Sequence, residues 1–518
     1  MRQTAILALL CIALCNAQSF VKMQGIPEGL SATYVQFLDY DNDGRPDMLL
    51  NGSRLFHNGG KAPGDVTLNE CGEAAGIKDG GYSLCYDYDC DGLVDIVTAF
   101  PHVWHNNGDG TFTDMAEKLS FAPGPKVMSM AAGDLDGDGL PDLFIGASED
   151  WNSGNPVYYK AQLWMNRGDH WEECSEAVGT DTKTYARGIL INDIDGDGRQ
   201  DVFVTNYRLQ ANILWINSGD GKFQNKAAEY GVAGELSPKK FYDATKKQHY
   251  GPHYGHGIGA CWMDFDRDGM LDLLVANLVH KYVGPTSKGG YDIRGYVCGD
   301  STFYRFDGKA FKDVRKNLGV PLRPIGGRGE FKGDELWSGC MPADVDCDGF
   351  EDVFIPQIYN LNYARAILFM NQDGKSFKDC APAAGIGVID SYAGAWADLD
   401  GDGYMDLVTS GRPQVDAPRE MSIYLNQGGG NSWYKIRLLS KNGRTAIGAK
   451  VTVKLGDARL VRLNSAGIGT MSQQNSPYLH FGLGATPPEE FDVTVKWPDG
   501  TATELKAKPN TTAVLSVP

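Results

Sequence analysis

Seven copies of one nine-residue pattern, D-x-D-x-D-G-x-x-D, punctuate the chain, starting at Asp39, Asp87, Asp134, Asp193, Asp264, Asp344 and Asp398. Nothing else in the sequence limits the possible folds so sharply. The copies are separated by 48, 47, 59, 71, 80 and 54 residues. Self-similarity at such a period marks a repeat architecture. Every acidic position is Asp: Asp39, Asp41, Asp43 and Asp47; Asp87, Asp89, Asp91 and Asp95; Asp134, Asp136, Asp138 and Asp142; Asp193, Asp195, Asp197 and Asp201; Asp264, Asp266, Asp268 and Asp272; Asp344, Asp346, Asp348 and Asp352; Asp398, Asp400, Asp402 and Asp406.

Each copy runs into a short apolar segment, such as Met48-Leu49-Leu50, Leu143-Phe144-Ile145 or Val353-Phe354-Ile355. Such runs after a Gly-rich turn read as strands. In most copies an aromatic, an Asn and a Gly turn follow, most clearly in Trp104 to Phe112 and again in Trp215 to Phe223 and Phe369 to Gly374. Strand, Gly turn, strand is a hairpin signature. About four short strands per unit of ~50 residues predict an all-β, seven-bladed propeller over 18–430. Closing the ring protects strand edges that an open array exposes.

Carboxylates at positions one, three, five and nine, with Gly at six, describe an oxygen cage of the kind Ca²⁺ takes, with ligands at about 2.3–2.6 Å. In the third copy Asp134, Asp136, Asp138 and Asp142 are the expected side-chain ligands. Leu140 would add its carbonyl, and Gly139 would make the sharp turn. Up to seven Ca²⁺ are expected. An EF-hand loop is excluded, because it needs a bidentate Glu at position twelve and flanking helices; here position twelve is Leu50, Ile145 or a similar apolar residue.

The formal charge of −18 speaks against a nucleic-acid partner. Loss of Arg2 takes a mature chain to −19, and seven Ca²⁺ would bring it to −5. Most of the acidity is thus accounted for as metal ligand. Met1-Arg2-Gln3-Thr4, the apolar run Ala5 to Leu14 and the small residue Ala17 read as a signal peptide over 1–17, with a secreted, extracellular product. No later run reaches the length of a membrane span. Asn51 and Asn510 head N-x-S/T glycosylation patterns. Nine cysteines follow the leader, from Cys71 to Cys380. An oxidising compartment permits disulfides, and the odd count leaves at least one thiol over.

Residues 431–518 alternate as half-buried strands do, in Tyr434 to Leu438, Lys450 to Lys454 and Asp492 to Lys496. A small sandwich-like β domain packed on the propeller is the expectation. The aspartate repeats resemble FG-GAP/VCBS repeats, as in the seven-bladed propellers of integrin α-chain heads. The C-terminal segment resembles the ASPIC/UnbV domain through Asn431-Ser432-Trp433, Ile447 to Val451, Gly467-Ile468-Gly469, Met471-Ser472, His480 to Gly484 and Trp497 to Gly500. The resemblance implies calcium binding and an extracellular setting, and no particular activity.

The excess length between the fourth and sixth copies falls at 232–256, 279–300 and 320–336, and long insertions on a rigid scaffold carry function. The first holds His249, His253 and His256, interleaved with Tyr250 and Tyr254. Imidazoles at that density suit a transition metal. His256 is expected at the axial mouth opposite the calcium loops, with Tyr185, Arg187, Trp337, Asp390 and Tyr392 near equivalent positions in other units. The candidates for chemistry are therefore His249, His253, His256, Tyr254 and Arg187. Gly255 to Gly259 lacks the βαβ context of a phosphate loop and reads as close packing at the axis. Lys332-Gly333-Asp334 resembles an integrin-ligand tripeptide. No complete catalytic constellation is visible. The leading reading is a calcium-holding module that binds an extracellular protein or glycan; the alternative is a metal-dependent enzyme, a lyase or an oxidative one, centred on the histidines.

Overall fold

Each sequence repeat becomes one antiparallel sheet, four-stranded in six repeats and joined by Glu335–Leu336 as a fifth strand in the fifth, in the computed structural model, which describes residues 19–150, 157–236, 241–243, 248–250, 254–281, 298–324 and 333–518. The first strands of these seven blades are Val35–Leu38, Ser83–Tyr86, Val127–Gly133, Ala186–Asn192, Gly257–Met263, Met341–Ala343 and Ile389–Ala397. Each first strand touches the next, and the seventh returns to the first. Each then enters an aspartate loop, and the second strand of the blade begins on the ninth residue of that loop, from Asp47 to Asp406. The only α-helix among the described residues is the single turn Ser175–Val178.

The seventh blade is completed from the other end of the repeat region. Phe20–Lys22 pairs with Glu420–Asn426 as its outer strand, in the register Phe20↔Asn426. Three residues with no motif gave no sequence signal for this closure.

The recurring Asn wires the ring together. Its side-chain amide donates to a carbonyl in the aspartate loop of the preceding blade: Asn58 to Leu399, Asn106 to Tyr40, Asn166 to Tyr88, Asn217 to Leu135, Asn371 to Phe265 and Asn426 to Val345, at 2.7–2.9 Å. The bond from Asn58 to Leu399 joins the first blade to the seventh. The fifth blade carries Phe306 at this place and omits the link.

The C-terminal domain is a sandwich of two sheets. One has Ser432–Leu439 between Tyr478–Gly484 and Thr511–Ser516; the other orders Ala458–Leu463, Lys450–Leu455, Phe491–Lys496 and Ala502–Ala507. Tyr434, Ile436, Val451, Val453, Phe481, Val493, Val495 and Trp497 form its core, as the alternating pattern requires.

All nine cysteines from Cys71 to Cys380 are free thiols here. Seven of them are buried. Cys90 and Cys347 occupy the fourth position of their aspartate loops at φ +59° and +57°, where they pack against the C-terminal domain rather than each other.

Candidate functional site

The aspartate loops share one conformation. Their sixth-position glycines, Gly44, Gly92, Gly139, Gly198, Gly269, Gly349 and Gly403, lie at φ +89° to +96°, which only Gly adopts without strain. This turn brings the carboxylates together: donor oxygens of Asp39, Asp41 and Asp47, of Asp87, Asp89 and Asp91, and of Asp134, Asp136 and Asp142 lie within 4.8 Å of one another. The ninth residue has a second role. Asp47, Asp95, Asp142, Asp201, Asp352 and Asp406 each accept two backbone N–H bonds at 2.7–3.2 Å, one from their own loop and one from the third strand. Their remaining lone pairs can still face a cation.

Several carboxylate oxygens are buried and accept no hydrogen bond: Oδ1 of Asp39, Asp89, Asp264, Asp344 and Asp398. Buried unpaired carboxylate oxygens are costly unless a cation meets them. Burial first, with neighbouring carboxylates adding, pushes Asp47 and Asp87 up to about 8, Asp272 to about 9 and Asp346 and Asp402 to about 7. A hard divalent ion supplies the positive charge these loops lack, so the donor set fits Ca²⁺. Loops one and two add an imidazole: His57 Nδ1 is 3.3 Å from both Asp41 and Asp47, and His105 Nδ1 is 3.3 Å from both Asp89 and Asp95. The reading from spacing missed these two histidines, which lie one position before the recurring Asn.

The C-terminal domain sits on these loops. Arg437 bonds to the carboxylate and the carbonyl of Asp39, and Tyr478 donates to the same carboxylate at 2.8 Å. Thr445 N donates to Gly139 O at 2.7 Å, Lys450 Nζ to Asp193 O at 2.9 Å and Gly482 N to Asp344 Oδ2 at 2.9 Å. Lys435 pairs with Asp398, and Arg462 with Glu351 at 3.3 Å. The domain therefore rests on part of the loop end, while Asp41, Asp43, Asp91, Asp136, Asp138, Asp195, Asp197 and Asp268 stay exposed.

The same domain also fills the axis. Residues 464–476, between two of its strands, meet the inner strand of every blade. Gln473 and Gln474 bond to Val35 and Phe37, Gln474 to both backbone groups of Cys85, and Ala466 bridges Ala132. Met471 N donates to Arg187 O, Ala260 N to Gly469 O, and Asn475 and Ser476 bond to Trp396. Asn475 also donates to Pro342 O at 3.0 Å. Glycines on the inner strands make room: a Cβ at Gly188 would meet Gly469 O at 1.9 Å, and one at Gly259 would meet Thr470 Oγ1 at 2.5 Å. The Gly255 to Gly259 run thus serves close packing at the axis, as its sequence context implied.

The opposite mouth is ringed by aromatic and ionic side chains. Tyr34 and Tyr82 pack at 4.6 Å with their rings tilted by 38°, Arg187 lies 4.8 Å over Tyr207, and Tyr207 lies 4.6 Å from His256. Glu149 pairs with Arg187 at 3.4 Å and Arg208 at 2.7 Å; Asp390 pairs with Arg412 and Arg419, each at 2.7 Å. Tyr359, 39% exposed, holds φ +74°, a strained conformation of the sort that persists at functional sites.

The structure thus brings Arg187, His256, Asp390 and Tyr392 to the mouth. Trp337 does not join them: it is buried inside the sixth-blade packing against Phe303 and Phe369. Tyr185 pairs with Tyr158 instead. The Tyr254 ring lies against Gly234. His249 sits in Gln248–Tyr250, with its side chain outside the described residues, as is all of His253 and residues 1–18. Much of 232–256, 279–300 and 320–336 lies outside them too. Of the Lys332-Gly333-Asp334 tripeptide, Lys332 lies outside the described residues and Asp334 is 1% exposed. The Asn51 side-chain oxygen accepts from Thr33 and Tyr34, and that of Asn510 from Trp433; glycosylation at either stays an expectation.

Comparison with known proteins agrees with this architecture. A model of the FG-GAP-like repeat matches residues 87–145, 193–275 and 344–409, and a model of the ASPIC and UnbV family matches 439–516. Cartilage acidic protein 1 of Homo sapiens is 28% identical over 335 residues, covering 62% of this chain and 42% of that protein. The Mus musculus protein is 28% identical over 339 residues, covering 62% and 43%. The chain spans less than half the length of these curated relatives. Among solved structures, a Bacillus licheniformis rhamnogalacturonan lyase is 15% identical with a TM-score of 0.34, covering 80% of this chain and 76% of that one. No described helix is long and apolar enough to cross a membrane.

Proposed function

From a chain that carries FG-GAP-like repeats followed by an ASPIC and UnbV domain, and that is related to cartilage acidic protein 1, we propose a secreted, calcium-stabilised module that binds an extracellular protein or glycan. One observation carries the reading: the C-terminal domain docks on the aspartate loops, bonding to Asp39 and Asp344, and plugs the axis. Calcium in those loops would lie where blades and cap meet. It would hold blades and cap together, as a ligand bound only by the native state does. Recognition falls to the other mouth, where tyrosine faces and arginines supply stacking and ionic contacts.

Elemental analysis of the untagged, secreted protein tests the first half. Calcium at several equivalents per chain, lost with the fold on chelation, supports it; a calcium-free protein of unchanged stability sinks it. Binding to a glycan array and to extracellular-matrix extract tests the second half. Tyr207→Ala and Tyr359→Ala should weaken binding at least tenfold without changing calcium content.

A further inference from the structure

We propose that His256, His280 and Asp334 form a site for one divalent first-row transition metal beside the mouth, separate from the aspartate loops.

Strand register brings the three together. Gly257 stands opposite Asn277 in the fifth blade, which sets His256 opposite Leu278; Leu278 N donates to His256 O at 3.0 Å. On the other side of the same strand, Leu278 stands opposite Leu336 and Val279 opposite Glu335. The next pair in that register is His280 with Asp334. Residues directly opposite in an antiparallel pair share a face, as do residues two apart on one strand. His256, His280 and Asp334 therefore project from one face of three adjacent strands.

The distances agree. His280 Nδ1 lies 3.3 Å from Asp334 Oδ2, and the His256 and His280 rings are 5.8 Å apart at 76°. The 3.3 Å spacing is longer than a good N–H···O bond of about 2.9 Å. Two donors each held about 2.1 Å from one ion at a tetrahedral angle lie about 3.4 Å apart. All three side chains are buried, at 3%, 3% and 1% exposure. Asp300 pairs with Lys281 at 2.7 Å and Glu335 with Arg315 at 2.6 Å; Asp334 Oδ2 lies beside the His280 ring.

Two imidazoles and one carboxylate make a borderline donor set. It suits Zn²⁺ or Fe²⁺ and discriminates against Ca²⁺, which takes oxygen ligands. Tyr207 on one side of the His256 ring, itself under Arg187, fixes the orientation of that ligand.

The test loads the metal-stripped, untagged full chain, with its calcium restored, with Co²⁺ as probe. One equivalent should bind and give visible d–d bands. X-ray absorption at cobalt should show two imidazoles. His256→Gln, His280→Gln and Asp334→Asn should each weaken Co²⁺ binding about 10-fold or more while leaving calcium content unchanged. The wild-type absorption edge decides the matter even if a variant fails to fold. A shell of oxygens alone, or with a single imidazole as at His57 or His105, would place cobalt in the aspartate loops and overturn the proposal. So would the absence of any stoichiometric binding.

Discussion

The two ends of the propeller carry buried acid for opposite reasons. At the loop end, burial and crowding push carboxyls up, with Asp47 and Asp87 at about 8 and Asp272 at about 9. At the mouth, burial of Glu149 is outweighed by the Ser148 hydroxyl, Arg187 and Arg208, and its carboxyl falls to about 2. Asp390 is lowered in the same way, with Arg419 and Arg412 overcoming burial. The mouth pairs Glu149 and Asp390 with two arginines each. The loop end meets only part of its charge from within the chain, through Arg437 at Asp39, Lys435 at Asp398, Arg167 at Asp136 and Arg305 at Asp266. On the proposed reading the repeated motif awaits a cation for the remainder, while the singly placed ion pairs of the mouth do not.

Calcium removal should give the largest effect. A site at 100 times its Kd contributes about 2.7 kcal/mol, and two such sites would move Tm by about 5 °C in a chain of this length. Calorimetry with and without chelator should show a fall of that size or more. Limited proteolysis should then cut near 427–431, where the cap leaves the seventh blade. An unchanged Tm would mean that hydrogen bonds alone close the loops, and the contrast between the ends would fail.

The sign of the pH dependence sharpens the same contrast. In metal-stripped protein Asp47, Asp87, Asp272, Asp346 and Asp402 have folded values above the unfolded ~3.9, so the folded state binds more protons. Their contribution to stability is greatest at low pH and is lost as pH rises from about 4 to about 9. Glu149 runs the other way. Its folded value is depressed, so its contribution is present above the unfolded ~4.3 and lost as pH falls toward 2. Stripped protein should therefore melt higher at pH 5.5 than at pH 8, and saturating calcium should abolish or reverse the order. Equal melting at both values without metal would show that the loop carboxyls are not shifted.

How much of this was legible follows from locality. Seven loops and their strands were written in a nine-residue word, because loop chemistry depends on near neighbours. The recurring Asn was visible, but its partner was not, since its amide reaches the preceding blade. Phe20–Lys22 carries no pattern, and its pairing with Glu420–Asn426 depends on ring closure. The sequence marked His256 through its neighbours His249 and His253. Its partners in space, His280 and Asp334, come from strand register instead. The plug was seen only as motif residues, Gly467 to Gly469 and Met471-Ser472. Its position in the channel follows from glycines on other strands that leave no room for a side chain.

The plug joins the two ends and supplies a smaller test. Gln474 accepts from Cys85 N at 3.1 Å and donates to Cys85 O at 2.7 Å, mimicking a strand edge with one side chain. Gln474→Ala leaves both buried groups unmet, at about 1–3 kcal/mol each. Urea unfolding should show a loss of about 2 kcal/mol or more, with calcium content unchanged. A loss of calcium as well would mean that the plug positions the loops, so that the two ends are not independent.

The smallest effect belongs to a pair at neither end. Arg54 and Glu70, on the outer strands of the first blade, form a two-pronged bond at 2.6 and 2.8 Å. By distance it is as good as Arg437 on Asp39. Its side chains, however, are 41% and 46% exposed, against 4% and 0% for the other pair. Water already solvates the exposed partners, so Glu70→Gln should cost only about 0–1 kcal/mol. Breaking a buried pair strands a charge and costs about 3–5 kcal/mol. Arg437→Met, measured beside Glu70→Gln in the calcium-loaded protein, should reproduce that gap. If calcium at Asp39 takes over the charge that Arg437 leaves behind, the gap should narrow with calcium and widen without it. Such a response would assign part of the Asp39 charge to the cap and part to the ion.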